Sequence, residues 1–246
     1  MKIYIINLAR SPDRKIAMQN EIQKLSNNFE VHFFNAIDAK ANEHIPFKEK
    51  YFSKLTKYLR GKNLSDGEIA CFASHYCLWE ECIKLNKPII ILEDDIIIQP
   101  HFDEGIKNII ASGYNFVKLA STFINAKNKQ KTNHYINEHF IISHKGVDGS
   151  QGYYITPIIA TAFIKHSIKW HKPVDNYMES FWIHNVPTIT YNPQLIEDNT
   201  NYNTTIEQKT TKTPLIYKLT REISRLLLNI RKKITELMGI FQADFF

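Results

Sequence analysis

The chain has 246 residues, with 31 Lys or Arg, 25 Asp or Glu and only three Cys. This length fits one large α/β domain with an appendage, and the ordinary proportions of apolar and charged residues exclude a collagen-like or wholly disordered chain. The cysteines, Cys71, Cys77 and Cys82, are odd in number and form no CxxC pair. That pattern argues against a disulfide framework and against a zinc ribbon.

The positive charge is concentrated at the C-terminal end. Residues 1–208 carry 23 basic and 22 acidic side chains, whereas residues 209–246 carry eight and three. The body therefore lacks the basic face of a nucleic-acid binder, and we expect no nucleic-acid partner. The apolar run between Lys2 and Arg10 is too short for a signal peptide, and no run of about 18 apolar residues could span a bilayer. These features favour a cytoplasmic protein.

The chain opens with a strand, a helix and a second strand. Ile3–Leu8 is a β-branched run typical of a buried strand, and Ser11 as N-cap with Pro12 at the first helical position predicts a helix that continues to Leu25. Glu30–Asn35 predicts the second strand. This β-α-β order implies a parallel sheet with a right-handed crossover.

Strands and helices continue to alternate after this unit. Residues 40–63 are rich in Lys and aromatic residues and predict a surface excursion, while residues 125–138 predict a polar loop. Ser65, with Glu68 three residues later, predicts a capping box. The remaining predicted elements are a helix over Leu64–Leu85, strands over Ile89–Leu92, Ile96–Ile98 and Asn115–Leu119, helices over Phe102–Ser112 and Pro157–Trp170, and a strand entered from a turn within residues 149–156.

Three consecutive acids interrupt the strongly apolar segment Pro88–Pro100. Glu93, Asp94 and Asp95 follow a run of Ile and Leu and precede a run of Ile. Ligands of an open α/β sheet bind beyond the carboxyl ends of its strands, and carboxylates gathered there repel one another unless a cation or water meets them. Glu93 and Asp95 share one side of an extended chain and would suit Mg²⁺ or Mn²⁺. A solvated turn is the alternative.

Two further segments carry residues suited to ligand binding. On the predicted helix at 64–85, Glu68, Cys71 and His75 fall on one stripe. A Cys/His metal site is one interpretation, but the spacing does not fit structural zinc, and the alternative is a core histidine beside small buried cysteines. Arg10 and Arg14 border the start of the first helix, where phosphate binds readily; a solvated Arg pair is the alternative. The chain has no GxGxxG or Walker motif.

Together these segments resemble glycosyltransferase family 25, the family of bacterial lipopolysaccharide and lipooligosaccharide enzymes with collagen-modifying relatives. The matching pieces are YIINLARSPDR at the N-terminus, LSDGEIACFASHYCLW at 64–79, ILEDDI at 91–96, GSQGYYIT at 149–156 and PVD at 173–175. The resemblance spans roughly residues 1–200. It implies a GT-A type α/β fold, with a Rossmann-like, mostly parallel sheet flanked by helices, and an inverting reaction. One departure is Glu-Asp-Asp where many such transferases carry Asp-x-Asp.

The resemblance also implies a site for a UDP-sugar donor and a Mn²⁺ or Mg²⁺ ion. Glu93 and Asp95 are the candidate metal ligands, and His184 is a further candidate by position alone. Asp175, after a proline-fixed turn, is the candidate general base, with an N-cap as the alternative role and Glu179 as its substitute. The candidate donor-binding residues are Asn7, Arg10, Arg14, Asn35, Ala36, Asp38, Glu68, Ser74, His75, Asp94, Gln151 and Gly152.

The expected function is therefore metal-dependent transfer of a hexose, with galactose as first choice, to a lipid-linked oligosaccharide of the lipooligosaccharide core. A glucosyltransferase of the same pathway is one alternative. A non-catalytic protein that binds sugar nucleotides or glycans is the other. Residues 1–200 would form the catalytic domain and residues 201–213 a linker.

Residues 214–246 predict an amphipathic helical tail. Thr213 and Pro214 predict the helix start, and the helix should continue to about Met238. Cationic side chains flank the apolar stripe, which favours contact with the anionic inner membrane and hence a peripheral location. The alternative is packing against the body or in a homo-oligomer. The predicted stripe consists of Ile216, Leu219, Ile223, Leu226, Ile230, Ile234, Leu237 and Phe241.

Overall fold

A computed structural model describes residues 1–120, 133–143, 149–202 and 214–237. Most of the predicted loop at 125–138 and of the predicted linker at 201–213 lies outside these ranges, as do Thr213 and Phe241. Within them, the strands are β1 (Lys2–Asn7), β2 (Glu30–Asn35), β3 (Ile89–Glu93), β4 (Ile96–Ile98), β5 (Phe116–Lys118), β6 (Asn133–Tyr135), β7 (Phe140–Ser143), β8 (Gly152–Ile155), β9 (Ile189–Tyr191) and β10 (Ile196–Asp198).

Eight of these strands form one mixed sheet in the order β2-β1-β3-β8-β5-β9-β7-β6. All of them run in one direction except β7 and β8. The predicted α/β class, with a mostly parallel sheet, is confirmed. The antiparallel position of β8 between β3 and β5 was not predicted, because a short buried strand has the same apolar pattern in either direction. β4 and β10 pair antiparallel in a separate two-stranded sheet.

Helices cover both faces of the sheet. In chain order they are α1 (Pro12–Ile22), a 3-10 helix (Ile45–Lys50), α2 (Ser53–Arg60), α3 (Asp66–Leu85), α4 (Phe102–Ser112), α5 (Pro157–His166), α6 (Val174–Met178), α7 (Phe181–His184) and α8 (Leu215–Leu237). β3 explains the arrangement, because its side chains alternate between two cores. Ile89 and Ile91 pack with residues of α3 and α5, whereas Ile90 and Leu92 pack with residues of α1 and α4.

The helix boundaries and caps predicted from the sequence are only partly confirmed by the structure. The capping box is confirmed: Glu68 N donates to Ser65 Oγ at 3.1 Å, and Ser65 N donates to Glu68 Oε2 at 2.7 Å. Pro12 opens α1 as predicted, but Ser11 makes no capping bond with its side chain. α5 ends at His166, four residues before the predicted end at Trp170.

The excursion at residues 40–63 is more ordered than predicted. It contains the 3-10 helix and α2, and it is tied to the body at Trp170. Trp170 N donates to Lys50 O at 2.7 Å, Phe52 N donates to Trp170 O at 2.8 Å, and the Phe47 ring stacks on the indole with centroids 6.0 Å apart. The aromatic residues that the sequence analysis placed on the surface thus hold the segment against the core.

α8 confirms the predicted C-terminal helix and packs on α2, where the rings of Tyr217 and Tyr58 lie 5.6 Å apart. The members of the predicted apolar stripe from Ile216 to Ile234 are exposed and turned away from this contact. Ile216, Leu219 and Ile223, for example, are 62%, 63% and 50% exposed. No helix in the part of the chain that the structure describes is long and apolar enough to cross a membrane. The partly buried positions of α8 that share the face of Tyr217 are Thr220, Arg221, Ser224 and Leu228.

Candidate functional site

β1, β2 and β3 end, and the antiparallel β8 begins, at the same end of the sheet, which is called the acidic edge below. Asn7, the last residue of β1, is level with Asn35 at the end of β2. Ile6 is level with Glu93 at the end of β3, and Leu92 is level with Gly152 at the start of the antiparallel β8. The candidate residues from the N-terminal segment, the acidic segment and residues 149–156 are therefore brought together, as expected for the carboxyl edge of an α/β sheet.

Asp94 is held from two sides. Asn7 Nδ2 donates to Asp94 Oδ2 at 2.6 Å, and Arg14 Nη1 donates to Asp94 Oδ1 at 2.8 Å. Arg14 is only 7% exposed and its guanidinium lies 5.1 Å from the centroid of the Tyr202 ring. The three acids therefore have a protein cation among them, and Arg14 supplies part of the positive charge that their mutual repulsion was expected to require.

Asp95 and Glu93 form a pair with opposite pKa shifts. Burial, followed by the neighbouring Glu93 carboxylate, raises the pKa of Asp95 to about 6, although Arg14 Nη1 donates to Asp95 Oδ2 at 3.1 Å. Burial also acts against ionisation of Glu93, but the nearby His75 ring and the Ser150 hydroxyl outweigh it and hold the pKa of Glu93 below its ordinary value. One carboxylate thus stays ionised while its neighbour takes up a proton more readily.

Glu93 is surrounded by residues of α3 and β8. Ser150 Oγ donates to Glu93 Oε1, and His75 Nε2 lies 3.6 Å from the same oxygen. The other ring nitrogen of His75 bonds with the hydroxyl of Tyr153 at 2.8 Å, and this hydroxyl accepts a hydrogen bond from Trp79 Nε1 at 3.0 Å. Because His75 is only 1% exposed, it presents almost no surface to a bound nucleotide in this structure.

Glu68, Cys71 and His75 lie on one helix, but they have different partners. Cys71 and His75 lie with Glu93, and the sulfur, ring nitrogen and carboxylate oxygen are all within 4.8 Å of one another. Burial raises the pKa of the Cys71 thiol well above its ordinary value. Glu68 is used elsewhere, in the capping box and in an ion pair with Arg60 at 3.2 Å.

A further carboxylate reaches the site from β10. Asn199 N donates to Asp95 O at 2.7 Å, which places the preceding residue, Asp198, beside Asp95. Asp198 is an exposed residue, but partial loss of contact with solvent raises its pKa; the Gln151 side chain that bonds to it acts in the opposite direction, and Glu93 adds to the increase. Asp198 was missed by the sequence analysis because β10 is only three residues long and was assigned to no element.

Gln151 and Gly152 fix the loop that borders Glu93. Gln151 O accepts a hydrogen bond from Glu93 N at 2.8 Å. At Gly152, a Cβ atom would lie 2.5 Å from Ile196 Cδ1 and 2.8 Å from Leu92 Cδ2, so a larger residue would collide with two buried side chains. Glycine at this position thus lets Ile196 and Leu92 pack closely against the start of β8.

Several candidate donor-binding residues form the rim beyond β1 and β2. Arg10 Nε donates to Asp38 Oδ2 at 2.7 Å in an exposed ion pair. Ala36 N donates to Asn7 O at 2.9 Å. Ser74 is buried and its hydroxyl accepts from Ile37 N at 2.9 Å, so it anchors this loop. Arg10 and Arg14 thus bind separate carboxylates and form no joint phosphate cradle in this structure.

The two candidate bases differ in their surroundings. Asp175 lies in α6, half-buried, and its carboxylate contributes, as Glu93 does, to the raised pKa of the Cys71 thiol, which burial dominates. Glu179 is 8% exposed and accepts a hydrogen bond from Lys118 Nζ at 2.9 Å. Lys118 also donates to Gly149 O at 2.9 Å, so this buried ion pair links β5, α6 and the loop before β8. Glu179 is therefore engaged in a structural pair.

His184 does not reach the acidic edge as a ligand. Its Nε2 bonds with Tyr177 O at 3.0 Å, and its Nδ1 accepts a hydrogen bond from Val186 N at 3.1 Å. Burial lowers the pKa of His184 to about 4. The suggestion that His184 is a metal ligand is wrong, because backbone groups occupy both ring nitrogens.

Sequence reasoning also missed Lys118, Ser150 and Tyr153. Lys118 carries a usable signal, because a lysine inside the apolar run Phe116–Leu119 must find a buried partner. Ser150 and Tyr153 carry no such signal. Their importance follows from contacts with Glu93 and His75, more than fifty residues away along the chain.

Comparison with known proteins adds an independent observation. The family model described as "Glycosyltransferase family 25 (LPS biosynthesis protein)" matches residues 1–178. The "Lipooligosaccharide biosynthesis protein lic2B" of Haemophilus influenzae is 32% identical over 129 residues, which is 50% of this chain and 46% of that protein. A "Glycosyltransferase 25 family member" of Aedes aegypti is 31% identical over 112 residues, 44% of this chain and 18% of that protein.

A third relative bears the name "Probable inactive glycosyltransferase 25 family member 3", from Rattus norvegicus. It is 26% identical over 113 residues, 44% of this chain and 19% of that protein. The matched part of this chain spans less than half of each of the three relatives.

Proposed function

This chain belongs to glycosyltransferase family 25, and we propose on that premise that it is an active, inverting hexosyltransferase of lipooligosaccharide or lipopolysaccharide biosynthesis. The donor is a UDP-sugar, with galactose as first choice and glucose as the alternative. The acceptor is a lipid-linked core oligosaccharide. The Haemophilus relative, whose name places it in lipooligosaccharide biosynthesis, supports this choice of pathway.

The observation that supports activity is the excess of negative charge at the acidic edge. Arg14 Nη1 binds Asp94 and Asp95, while Glu93 and Asp198 add further negative charge beside Asp95. The raised pKa of Asp95 means that ionised Asp95 destabilises the fold. Groups that lower the stability of the fold in this way are found more often at functional sites than at purely structural positions. The retained acidic cluster therefore favours an active enzyme over a binding protein whose catalytic site has decayed.

The residues at this edge fit a divalent cation. Glu93, Asp95 and Asp198 offer carboxylate oxygens, the ligands that Mn²⁺ and Mg²⁺ prefer, whereas both oxygens of Asp94 are bound by Asn7 and Arg14. A bound ion of this kind would neutralise charge on the departing diphosphate. Asn7 and Arg14 hold the acidic segment in place for that purpose.

Asp175 is the proposed general base for the acceptor hydroxyl. α6, which carries Asp175, packs in the same core as α3, and Glu93 lies beside His75 of α3. This arrangement allows one carboxylate to act at the donor and the other at the acceptor. A positioned base contributes roughly 10²–10⁴-fold to rate.

Release of UDP from UDP-Gal, UDP-Glc, UDP-GlcNAc and UDP-GalNAc, with and without Mn²⁺, tests the proposal. We expect Mn²⁺-dependent release from one donor, with UDP-Gal preferred. Asp175→Asn should lower transfer to an acceptor by about 10²-fold or more and leave UDP affinity unchanged, and exposed Glu104→Gln on α4 should match the wild type. Binding of a UDP-sugar without any release would instead identify a non-catalytic binding protein.

We further propose that α8 holds the protein at the cytoplasmic face of the inner membrane. α8 packs on α2 through the face that carries Tyr217, and the stripe residues from Ile216 to Ile234 stay exposed. This exposed apolar face is therefore available to contact a membrane. Exposed Lys218, Arg225 and Lys233 lie on α8. Residues 50–63, which include α2, add five basic and no acidic residues. This charge favours anionic lipid, where each cation contributes about 1 kcal/mol, over a second copy of the same basic helix.

Vesicle flotation tests the attachment. The full chain should float with phosphatidylglycerol vesicles at low salt and should float less with phosphatidylcholine vesicles. Leu219→Glu with Ile223→Glu should abolish flotation, whereas Ile158→Glu with Ile168→Glu, at apolar positions of the body that are even more exposed, should not. If the first pair leaves flotation unchanged but converts a dimer into a monomer, the stripe is an oligomer contact.

A further inference from the structure

A second group of atoms that could hold a metal ion lies beside the acidic edge, and it includes a sulfur and a ring nitrogen as well as a carboxylate oxygen. Cys71 and His75 are one helical turn apart on α3, and Glu93 comes from the end of β3. One sulfur, one ring nitrogen and one carboxylate oxygen lie within 4.8 Å of one another. A thiol, an imidazole and a carboxylate together suit a thiophilic ion such as Zn²⁺ better than Mn²⁺ or Mg²⁺.

The orientation of His75 supplies an independent observation. Its side chain is almost fully buried, at 1% exposure, and its Nε2 makes no hydrogen bond with any of the described residues. The ring is aimed at Glu93, because Nδ1 is held by Tyr153, whose hydroxyl is in turn held by Trp79. Histidines that bind metals are oriented in this way, through a hydrogen bond at the nitrogen that does not bind the ion.

We propose that Cys71, His75 and Glu93 form a binding site for a thiophilic divalent cation, with Zn²⁺ as the expected ion. On binding, the Cys71 thiol gives up its proton to solvent and the sulfur binds the ion as a thiolate. Three protein ligands leave one tetrahedral position open. The Glu93 side chain is 26% exposed, which provides an entry path from solvent.

A consequence for catalysis follows from the position of Glu93, and this step rests on the proposed function. Glu93 belongs both to the all-oxygen set with Asp95 and Asp198 and to the set with Cys71 and His75. The two sets therefore compete for one carboxylate. Zn²⁺ should inhibit Mn²⁺-dependent transfer by withdrawing Glu93 from the acidic edge.

Cobalt spectroscopy tests the site without reference to activity. Metal-free full-length protein is titrated with Co²⁺, and we expect the near-ultraviolet charge-transfer band of a cobalt–thiolate bond, which added Zn²⁺ should remove. Cys71→Ser should abolish the band. Cys77→Ser, a matched free and half-buried cysteine on the same helix, should retain it. Absence of the band from the wild type, or its persistence in Cys71→Ser, overturns the site.

Zinc inhibition of Mn²⁺-dependent UDP release is measured separately. Cys71→Ser should require at least about tenfold more Zn²⁺ for half-inhibition than the wild type or Cys77→Ser, since even the loss of a residue that only orients a metal ligand weakens affinity by about 10–100-fold. Equal inhibition of all three proteins would overturn the competition for Glu93. If the protein releases no UDP at all, the proposed function fails, while the cobalt band still decides whether the site exists.

Discussion

Replacement of Asp95 by Asn should stabilise the metal-free protein, whereas the same replacement at Asp94 should destabilise it. In the folded protein burial, and then Glu93, raise the pKa of Asp95 to about 6. Ionised Asp95 is therefore unfavourable at neutral pH, and an amide removes that cost. Asp94 is the opposite case, because its charge is matched by Arg14 and its second oxygen accepts from Asn7.

The expected magnitudes follow from these shifts. The increase of the Asp95 pKa from 3.8 to about 6 sets an upper bound of roughly 3 kcal/mol at neutral pH. Because Asp95 and Glu93 titrate as a pair, we expect about 1–3 kcal/mol. For a chain of this length, that raises Tm by about 3–10 °C. Loss of the Asp94 charge removes one of the two carboxylates that Arg14 Nη1 binds at this site, and should cost about 2–4 kcal/mol, since Asn retains one acceptor.

The pH dependence identifies the cause. Asp95 binds its proton more tightly in the folded state than in the unfolded state, so it favours folding at low pH. That contribution is lost as the pH rises from about 4 to about 6, and the cost is constant above this range. The Tm difference between Asp95→Asn and the wild type should therefore be close to zero at pH 4 and reach its full value above pH 6.

Thermal unfolding in EDTA across this pH range measures the difference, with Glu104→Gln as a control that should not change with pH. A lower Tm for Asp95→Asn at pH 7 would refute the reasoning, as would a difference that is equally large at pH 4. With Mn²⁺ added, the wild type should gain more stability than Asp95→Asn, and turnover of the variant at saturating Mn²⁺ should be lost. Normal turnover would remove Asp95 from the metal site.

Two further predictions concern packing around the site. Gly152→Ala should lower the urea midpoint by the equivalent of about 1–3 kcal/mol, because its Cβ would collide with Ile196 and Leu92. An unchanged midpoint would mean that these side chains can move aside. Lys118→Met should lower the free energy of unfolding by about 3–5 kcal/mol, because Glu179 loses its buried ion-pair partner. Adding Glu179→Met should recover much of this loss, and a double variant as unstable as Lys118→Met would contradict the prediction.

The elements that the sequence predicted well depend on neighbours along the chain. The capping box at Ser65 and Glu68 needs only three residues of spacing, and the structure contains both of its bonds. The acids that begin at the last residue of β3 mark a strand end, because three charges cannot continue a strand that is buried on both faces. The edge of the sheet at which ligands were expected could thus be located before any partner of these acids was known.

The partners themselves could not be predicted, because they come from distant parts of the chain. Arg14 and Asp94 are 80 residues apart, Asn7 and Asp94 87, and Lys118 and Glu179 61. An arginine at a helix start predicts a phosphate or a carboxylate equally well. The charge of Arg14 was assigned to the nucleotide, whereas in the structure it offsets the acidic segment. For the same reason the ion pair between Glu179 and Lys118 could not be predicted from the sequence.

The C-terminal helix shows a different limit. The sequence predicted the helix and its apolar stripe, and a stripe normally predicts the face that packs on the body. Here the contact with α2 uses Tyr217, on another face, and Ile216, Leu219 and Ile223 stay exposed. A helix that covers its apolar stripe against its own domain gains burial at no further cost, so a stripe left uncovered while the helix is docked indicates an external surface. The basic residues of α2 and α8 then determine which surface it is, because they repel another basic helix and attract anionic lipid.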